Sequence, residues 1–175
     1  GRYITLIAGQ DLIIAAVADN ARSSTSSWGA SIGLSLQGVT IGGHAAGSDS
    51  SSTLYTNANM TAGGNVSIVT VRDASFLGAQ VQSKNVYMDI GRDLIIASKQ
   101  NTSSSSSWGF SASITIGPTP AGGVGINGFT LSGSYAAGSR KYTDTPTSIV
   151  SEEVMDIHVG RTTMLMGAVL NSKAG

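Results

Sequence analysis

The chain repeats itself, and a tandem repeat narrows the possible architectures before any single residue is weighed. Gly9-Gln10-Asp11-Leu12-Ile13-Ile14-Ala15 returns as Gly91-Arg92-Asp93-Leu94-Ile95-Ile96-Ala97, an offset of 82. The Ser-rich stretch 23–27 with Trp28-Gly29 returns as Ser103 to Ser107 with Trp108-Gly109, an offset of 80. Ala45-Ala46-Gly47-Ser48 returns as Ala136-Ala137-Gly138-Ser139, an offset of 91. Ile68, Arg72, Gly78-Ala79, Ser83 and Lys84 match Ile157, Arg161, Gly167-Ala168, Ser172 and Lys173, an offset of 89. The blocks keep one order, so residues 1–175 read as a single segment built of two tandem repeats, about 1–90 and 91–175.

A finer rhythm runs inside each repeat. Short β-prone runs lie at 65–71, 75–81, 85–90 and 93–98, with Gly, Asn or Asp at the joints. Apolar residues alternate within them, as in Val66 and Ile68 or Val86, Met88 and Ile90. Period two marks strands with one face buried. Two such runs make a rung of roughly 20 residues, and stacked rungs make a parallel β-solenoid, here of about four rungs. Gly9, Gly64, Gly91 and Gly160 are expected at corners, in the positive-φ region that glycine reaches freely. Asp11 and Asp93 are expected to accept hydrogen bonds from turn amides, and Asn65 and Asn85 to act likewise.

Two tracts break the rhythm. From Trp28, Ala30, Ile32, Leu34 and Leu36 alternate with Gly and Ser; from Trp108, Phe110, Ala112, Ile114 and Ile116 do the same. Each is followed by a Gly-rich turn and a return strand, near 39–45 and 129–135. They read as antiparallel hairpins extruded from the solenoid, over about 25–56 and 104–146, and stacked side by side. The second is longer by 11 residues, the growth of the offset from 80 to 91, with the insertion near Pro118 to Asn127. Ser103 to Ser107 reads as a flexible, solvated connection into the hairpin, with a glycosylated stalk as the alternative. Trp28 and Trp108 read as rings buried at the hairpin bases, with sugar-stacking platforms as the alternative.

Composition closes off several classes of function. Ten basic and ten acidic residues cancel, and only 11% of residues are charged. Globular domains average about 25%. That balance argues against nucleic-acid binding. With no Cys there are no disulfides or thiolate metal sites. No apolar run approaches the roughly 18 residues of a membrane-spanning helix, and no signal-peptide pattern is present. A start at Gly1 reads as an excerpt of something longer.

Catalytic constellations are thin. His158 lies two residues from Asp156, which puts both on the outer face of one strand. His44 has no neighbouring acid. Among 27 Ser, the presence of a nucleophile near either carries no information, because geometry defines a triad. Glu152 and Glu153 are adjacent and point to opposite faces of a strand. Gly123-Val124-Gly125-Ile126-Asn127-Gly128 matches GxGxxG, but strand-like residues follow where a phosphate-binding helix would have to start. The aspartates lack the spacing of a calcium repeat. Asn59, Asn65 and Asn101 head glycosylation triplets, frequent by chance in so Ser/Thr-rich a chain. No catalytic, metal or cofactor residue is assigned; the residues singled out, as structural or interacting, are Trp28, Trp108, Asp11, Asp93, Gly9 and Gly91.

Four elements together resemble a known family: the repeated Gly-Arg-Asp-Leu-Ile-Ile-Ala-Ser block at 91–98, Phe76-Leu77-Gly78-Ala79-Gln80-Val81, the Ser-rich Trp-Gly alternating tract, and the run from Met155 to Val169. The chain resembles the hemagglutinin repeats of filamentous hemagglutinin-like exoproteins, which include adhesins and contact-dependent growth inhibition effectors of Gram-negative bacteria. The resemblance implies an all-β, right-handed parallel β-helix with extruding hairpins, in a long non-enzymatic rod. It implies export by two-partner secretion through an outer-membrane transporter and display at the cell surface. It also implies partners on a target or host cell, in adhesion or in toxin delivery. An autonomous glycan- or receptor-binding adhesin is the first alternative and a polysaccharide-active β-helix enzyme the second. Open rung ends add an expectation of weak end-to-end self-association.

Overall fold

The computed structural model describes residues 1–174, and among them every regular element is a β-strand. The chain forms two compact units. The first gathers Gly1–Asp19, Thr53–Asn101 and the chain from Lys141; the second gathers Asn20–Ser52 and Thr102–Arg140.

Unit 1 holds two parallel sheets. One runs β1 (Ile4–Ala8), β5 (Ala58–Thr70), β7 (Ala79–Ile90), β11 (Ser148–Val159) and β13 (Val169–Ser172). The other runs β2 (Leu12–Ala15), β6 (Ala74–Leu77), β8 (Leu94–Ala97) and β12 (Thr163–Met166). The chain alternates between them, so each pass lays one strand on each sheet. Between passes not separated by an excursion into unit 2 the register advances by about 20 residues, as in Asn65↔Asn85 and Ala74↔Leu94; across an excursion it advances by 62, as in Ile4↔Val66, or by 69, as in Val86↔Met155. Every pairing in both sheets is parallel.

Alternation builds the core. Val66, Ile68, Phe76, Val81, Val86, Met88, Ile90, Leu94 and Ile96 are buried. Within β7 the buried positions are odd through Ala79, Val81 and Ser83, then even through Val86, Met88 and Ile90. A one-residue change of phase swaps the face that points inward, so the chain turns at Lys84 and Asn85 while pairing continues. The turn is held by polar groups: Ser83 Oγ donates to Asn85 O (2.7 Å), and Asn85 Nδ2 donates to Asn65 Oδ1 (3.0 Å). Opposite the same turn, β5 and β11 carry irregularities between Ala62 and Asn65 and between Ser151 and Val154. Gly63-Gly64 and Glu152-Glu153 therefore each set two residues against the single Lys84, a bulge with one extra residue.

The corner glycines differ from the sequence expectation. Positive φ occurs at Gly38, Gly78, Gly122, Gly123 and Gly167, not at Gly9, Gly64, Gly91 or Gly160. A side chain on Gly91 would run into the carbonyl of Val71, one on Gly160 into that of Gly91, and one on Gly64 into that of Arg2. At these three positions glycine serves close stacking of one pass on the next. Gly9, in the first pass, has open space there.

Unit 2 is a four-stranded sheet in the order β10-β9-β4-β3: β3 (Val17–Ser35), β4 (Gly38–Thr56), β9 (Asn101–Pro118) and β10 (Val124–Tyr142). Two hairpins, β3/β4 and β9/β10, lie side by side and meet along β4 and β9. Thr40 pairs with Thr115 and Ser51 with Ser104, so one strand rises as the other falls. The Ser runs are not flexible links, because backbone pairing carries both into β3 and β9. The return strands are also much longer than expected, at 19 residues each in β4 and β10. Their Ser, Gly and Ala content hid them, since the ladder needs only backbone amides and carbonyls.

Candidate functional site

The six residues singled out by sequence fall into two groups, one in each unit. Asp11, Asp93, Gly9 and Gly91 belong to unit 1. Trp28 and Trp108 belong to unit 2.

In unit 1 the aspartates form a ladder. Asp11 Oδ1 accepts from the Asp73 amide (3.2 Å), Asp73 Oδ1 from the Asp93 amide (3.2 Å), and Asp93 Oδ1 from the Thr162 amide (3.1 Å). Each carboxylate thus reaches the next pass of the chain, not its own turn as the sequence suggested. Arg72 Nε stands 3.4 Å from Asp11, and Arg92 Nε 3.7 Å from Asp73. Asp73 escaped the sequence reading because Val71 occupies the glycine position that precedes the aspartate in the other corners. The ladder stops at Thr162, which has no carboxylate to offer a following amide. Its chemistry is structural: it neutralises side-chain charge and occupies corner amides.

A second polar cluster in unit 1 had no signature in the sequence. Thr147 is fully buried; its hydroxyl donates to Ala97 O (2.7 Å) and accepts from the Gly78 amide (2.9 Å). Its own amide donates to Ser98 Oγ (2.8 Å). The outer face of β7 and β11 gathers Tyr87, Asp89, Asp156 and His158 around a cavity of about 280 Å³. Asp156 stands opposite Tyr87 and His158 opposite Asp89 in the parallel register. Met155, Ile157 and Val159 pack against the core from the other face. Among the described residues no group of three or more His, Cys, Asp and Glu side chains is placed to hold a metal. Of the adjacent glutamates, Glu153 pairs with Lys84 (3.0 Å).

In unit 2 the sheet has two unlike faces. Thr40 and Thr115 share one face (2.8 Å), as do Ser111 and Ser132 (2.6 Å). His44 lies over Gly29 on that face, where a side chain on the glycine would displace the ring. By strand alternation the other face carries Trp28, Ile32 and Leu34 of β3 and Val39 and Ile41 of β4. It continues through Trp108, Phe110 and Ile116 of β9 to Phe129, Leu131 and Tyr135 of β10. Trp108 sits on Gly47, where a side-chain carbon would come within 2.5 Å of Nε1. An aromatic ring covering a cross-strand glycine shields the backbone there. The rings are nevertheless not buried: Trp28 is 86% exposed and Trp108 47%. Burial at the hairpin base is overturned, because among the described residues no second layer covers this face. Beyond the apolar band lies an open cleft of about 790 Å³, lined by Arg22, Ser24, Asp49, Ser51, Ser105 and Ser139.

The GxGxxG stretch begins at the end of the hairpin connection: Gly123 closes the turn, and Val124 to Gly128 open β10. Gly122 and Gly123 take positive φ, the Gly122 amide donates to Thr119 O (3.0 Å), and β10 follows at once. Asn127 Nδ2 donates to Gln37 O (2.9 Å) and Pro118 O (3.1 Å), tying the two hairpin tips together.

Comparison with known proteins adds sequence relatives. The family model described as hemagglutinin repeat matches residues 1–112. A tRNA nuclease CdiA from Yersinia mollaretii is 33% identical over 199 residues, covering 100% of this chain and 6% of that protein. A Toxin CdiA from Escherichia coli is 30% identical over 194 residues, covering 99% of this chain and 6% of that protein. A Deoxyribonuclease CdiA from Yersinia pseudotuberculosis is 31% identical over 159 residues, covering 86% of this chain and 15% of that protein. The chain spans about 6% of the length of the first two relatives. No solved structure matches it. The chain belongs to the hemagglutinin-repeat family and is a segment of a large secreted exoprotein of the bacterial cell surface.

Proposed function

We propose that the chain is a non-catalytic shaft segment of a two-partner-secreted rod, with unit 1 as the shaft and unit 2 as its interacting module. In this reading unit 1 is a stretch of right-handed parallel β-helix, which the alternation of two parallel sheets at about 20 residues per pass supports. Residues 1–90 and 91–175 are its two tandem repeats. The rod leaves its cell through an outer-membrane transporter and carries a toxin domain to a target cell. The relatives favour delivery over enzymatic work in this segment. They are named for different activities, a tRNA nuclease and a deoxyribonuclease, while sharing the same repeat. A region common to both does not specify either nuclease.

The observation that carries the interacting role is the uncovered apolar face of the unit 2 sheet, with Trp28 at 86% exposure. Faces of this kind mark contact surfaces. The exposed rings also favour a second reading, an adhesive module for glycans or a receptor, since stacking platforms need accessible rings.

In-frame deletion of residues 1–175 from the parent protein tests the delivery role, with surface display and target-cell inhibition scored separately. The expected result is normal display with reduced inhibition. Unchanged inhibition refutes the reading. Saturable, competable binding of the labelled segment to epithelial cells or sibling bacteria selects the adhesive module.

A further inference from the structure

The apolar face of unit 2 leaves eleven large apolar side chains at least 37% exposed, from Trp28 on β3 to Tyr135 on β10. Residues 23–48 and 102–139, which carry the apolar face of this sheet, contain no Lys, Arg, Asp or Glu. The face also has relief. The contacts of Gly29 with His44, Gly42 with Ser31 and Ser113, and Thr40 with Thr115 set the strand register. In that register Ala30, Gly43 and Ala112 form a shallow row across β3, β4 and β9. A row of isoleucines (Ile32, Ile41, Ile114) stands on one side of it and the aromatic rings on the other.

We propose that this face is covered by the same face of a second copy of the chain, in a two-fold, face-to-face β-sandwich. Three observations favour that occupant. The first is area: the exposed apolar side chains offer on the order of 1,000 Å² per copy, against about 800 Å² per partner in a stable interface. The second is charge: the stretches 23–48 and 102–139 that carry the apolar face hold no formal charge, and Asp19, Arg22, Asp49, Arg140 and Lys141 lie beyond it, so apposing the two faces brings no like charges together within them. The third is the open edges. Among the described residues β3 and β10 are each edge strands. A bilayer interior would strand their unpaired amides and carbonyls away from water, and open sheet edges are not found in hydrocarbon. A sandwich leaves both edges solvated. Sheets packed in this way lie about 10 Å apart, and ridges of one fill troughs of the other. The shallow row is the trough, and the isoleucine row of the second copy is the ridge that fills it. This proposal deepens the reading of unit 2 as the interacting module by naming its partner. Cell binding is scored in a separate assay, so either idea can fail without the other.

The test is sedimentation equilibrium of the 175-residue chain over roughly 1–100 µM, a range that resolves micromolar dimers. Tryptophan emission is followed in parallel, since Trp28 and Trp108 are the only two tryptophans. The expected result is a dimer whose formation shifts emission to the blue. I32S with L34S weakens it at least about tenfold. Both side chains are well exposed on an edge strand, at 75% and 84%, so the fold survives the change. S31K, on the opposite face of the same strand, leaves the dimer intact. A monomer at every concentration overturns the proposal, as does association indifferent to the Ile32 and Leu34 changes. Flotation of the chain with neutral phosphatidylcholine vesicles as a monomer also overturns it, in favour of lipid.

Discussion

Replacing Asp73 by Ala tests whether the aspartate ladder holds successive passes of unit 1 together. Asp73 Oδ1 accepts the Asp93 amide at 3.2 Å and faces Arg92 Nε at 3.7 Å. A hydrogen bond to a charged group contributes about 1.5–3 kcal/mol, and partial exposure of this carboxylate, at 32%, lowers that to about 1–2 kcal/mol. The Arg92 contact is longer than a hydrogen bond and both side chains are about a third or more exposed, so it adds at most a few tenths of a kcal/mol. The expected loss is therefore about 1.5 kcal/mol, read as a lower midpoint in urea with an unchanged slope. Asp73→Asn keeps an acceptor and loses only the charge, so it costs less than half as much. At 1 M NaCl the Ala variant keeps most of its defect, because the amide bond, not the ion pair, carries the effect. A D73A midpoint indistinguishable from wild type, or D73N as damaging as D73A, refutes the reasoning.

Three further expectations rest on unit 1. Phe76→Ala empties a fully buried site and costs about 3–5 kcal/mol, a large part of any domain's stability; a loss below about 1.5 kcal/mol in calorimetry means the site collapses. Gly91→Ala drives a methyl into the Val71 carbonyl and costs about 1–3 kcal/mol, whereas Gly9→Ala, with open space, stays within about 0.5 kcal/mol; chemical denaturation of the pair checks the contrast. Thr147→Val keeps the shape but removes the hydroxyl that bonds both Ala97 O and the Gly78 amide; because that amide also donates directly to Ala97 O (2.8 Å), neither is orphaned and the loss is only about 0.5–1.5 kcal/mol, read as a lower midpoint in urea.

The sequence announced the strands of unit 1 because their residues alternate against a packed core. Val66, Ile68, Val86, Met88 and Ile90 are apolar at period two and all are buried. It announced the outgoing halves of the hairpins for the same reason, through Trp28 to Leu36 and Trp108 to Ile116. It missed the Ser-rich lengths of β3 and β9 and most of the return strands, where pairing depends on backbone groups and side chains carry no period. It misjudged the corner glycines because composition cannot separate a positive φ from a close approach; both exclude a side chain. Trp28 was expected to be buried because a large ring usually is, and the open face that exposes it is a tertiary property. Thr147 and Asp73 were hidden among 16 Thr and 10 acidic residues, and only the stacking of passes singles them out.

The long hairpins have a consequence for how the chain assembles. β1 must find β5 across an excursion: Ile4 pairs with Val66, 62 positions away, whereas Asn65 pairs with Asn85, 20 away. Closing the longer loop costs only about 1 kcal/mol more in chain entropy, since the penalty grows with the logarithm of length. Hairpins also form in about 1–10 µs, faster than most non-local pairing. Once β3 and β4 have zipped, the chain enters and leaves the excursion at neighbouring points, and the effective loop is short again. Doubling the length of an excursion would add only about 0.6 kcal/mol to that closure. The parallel ladder is thus nearly indifferent to what is inserted between its passes, and a lineage can rewrite the hairpins without renegotiating the core.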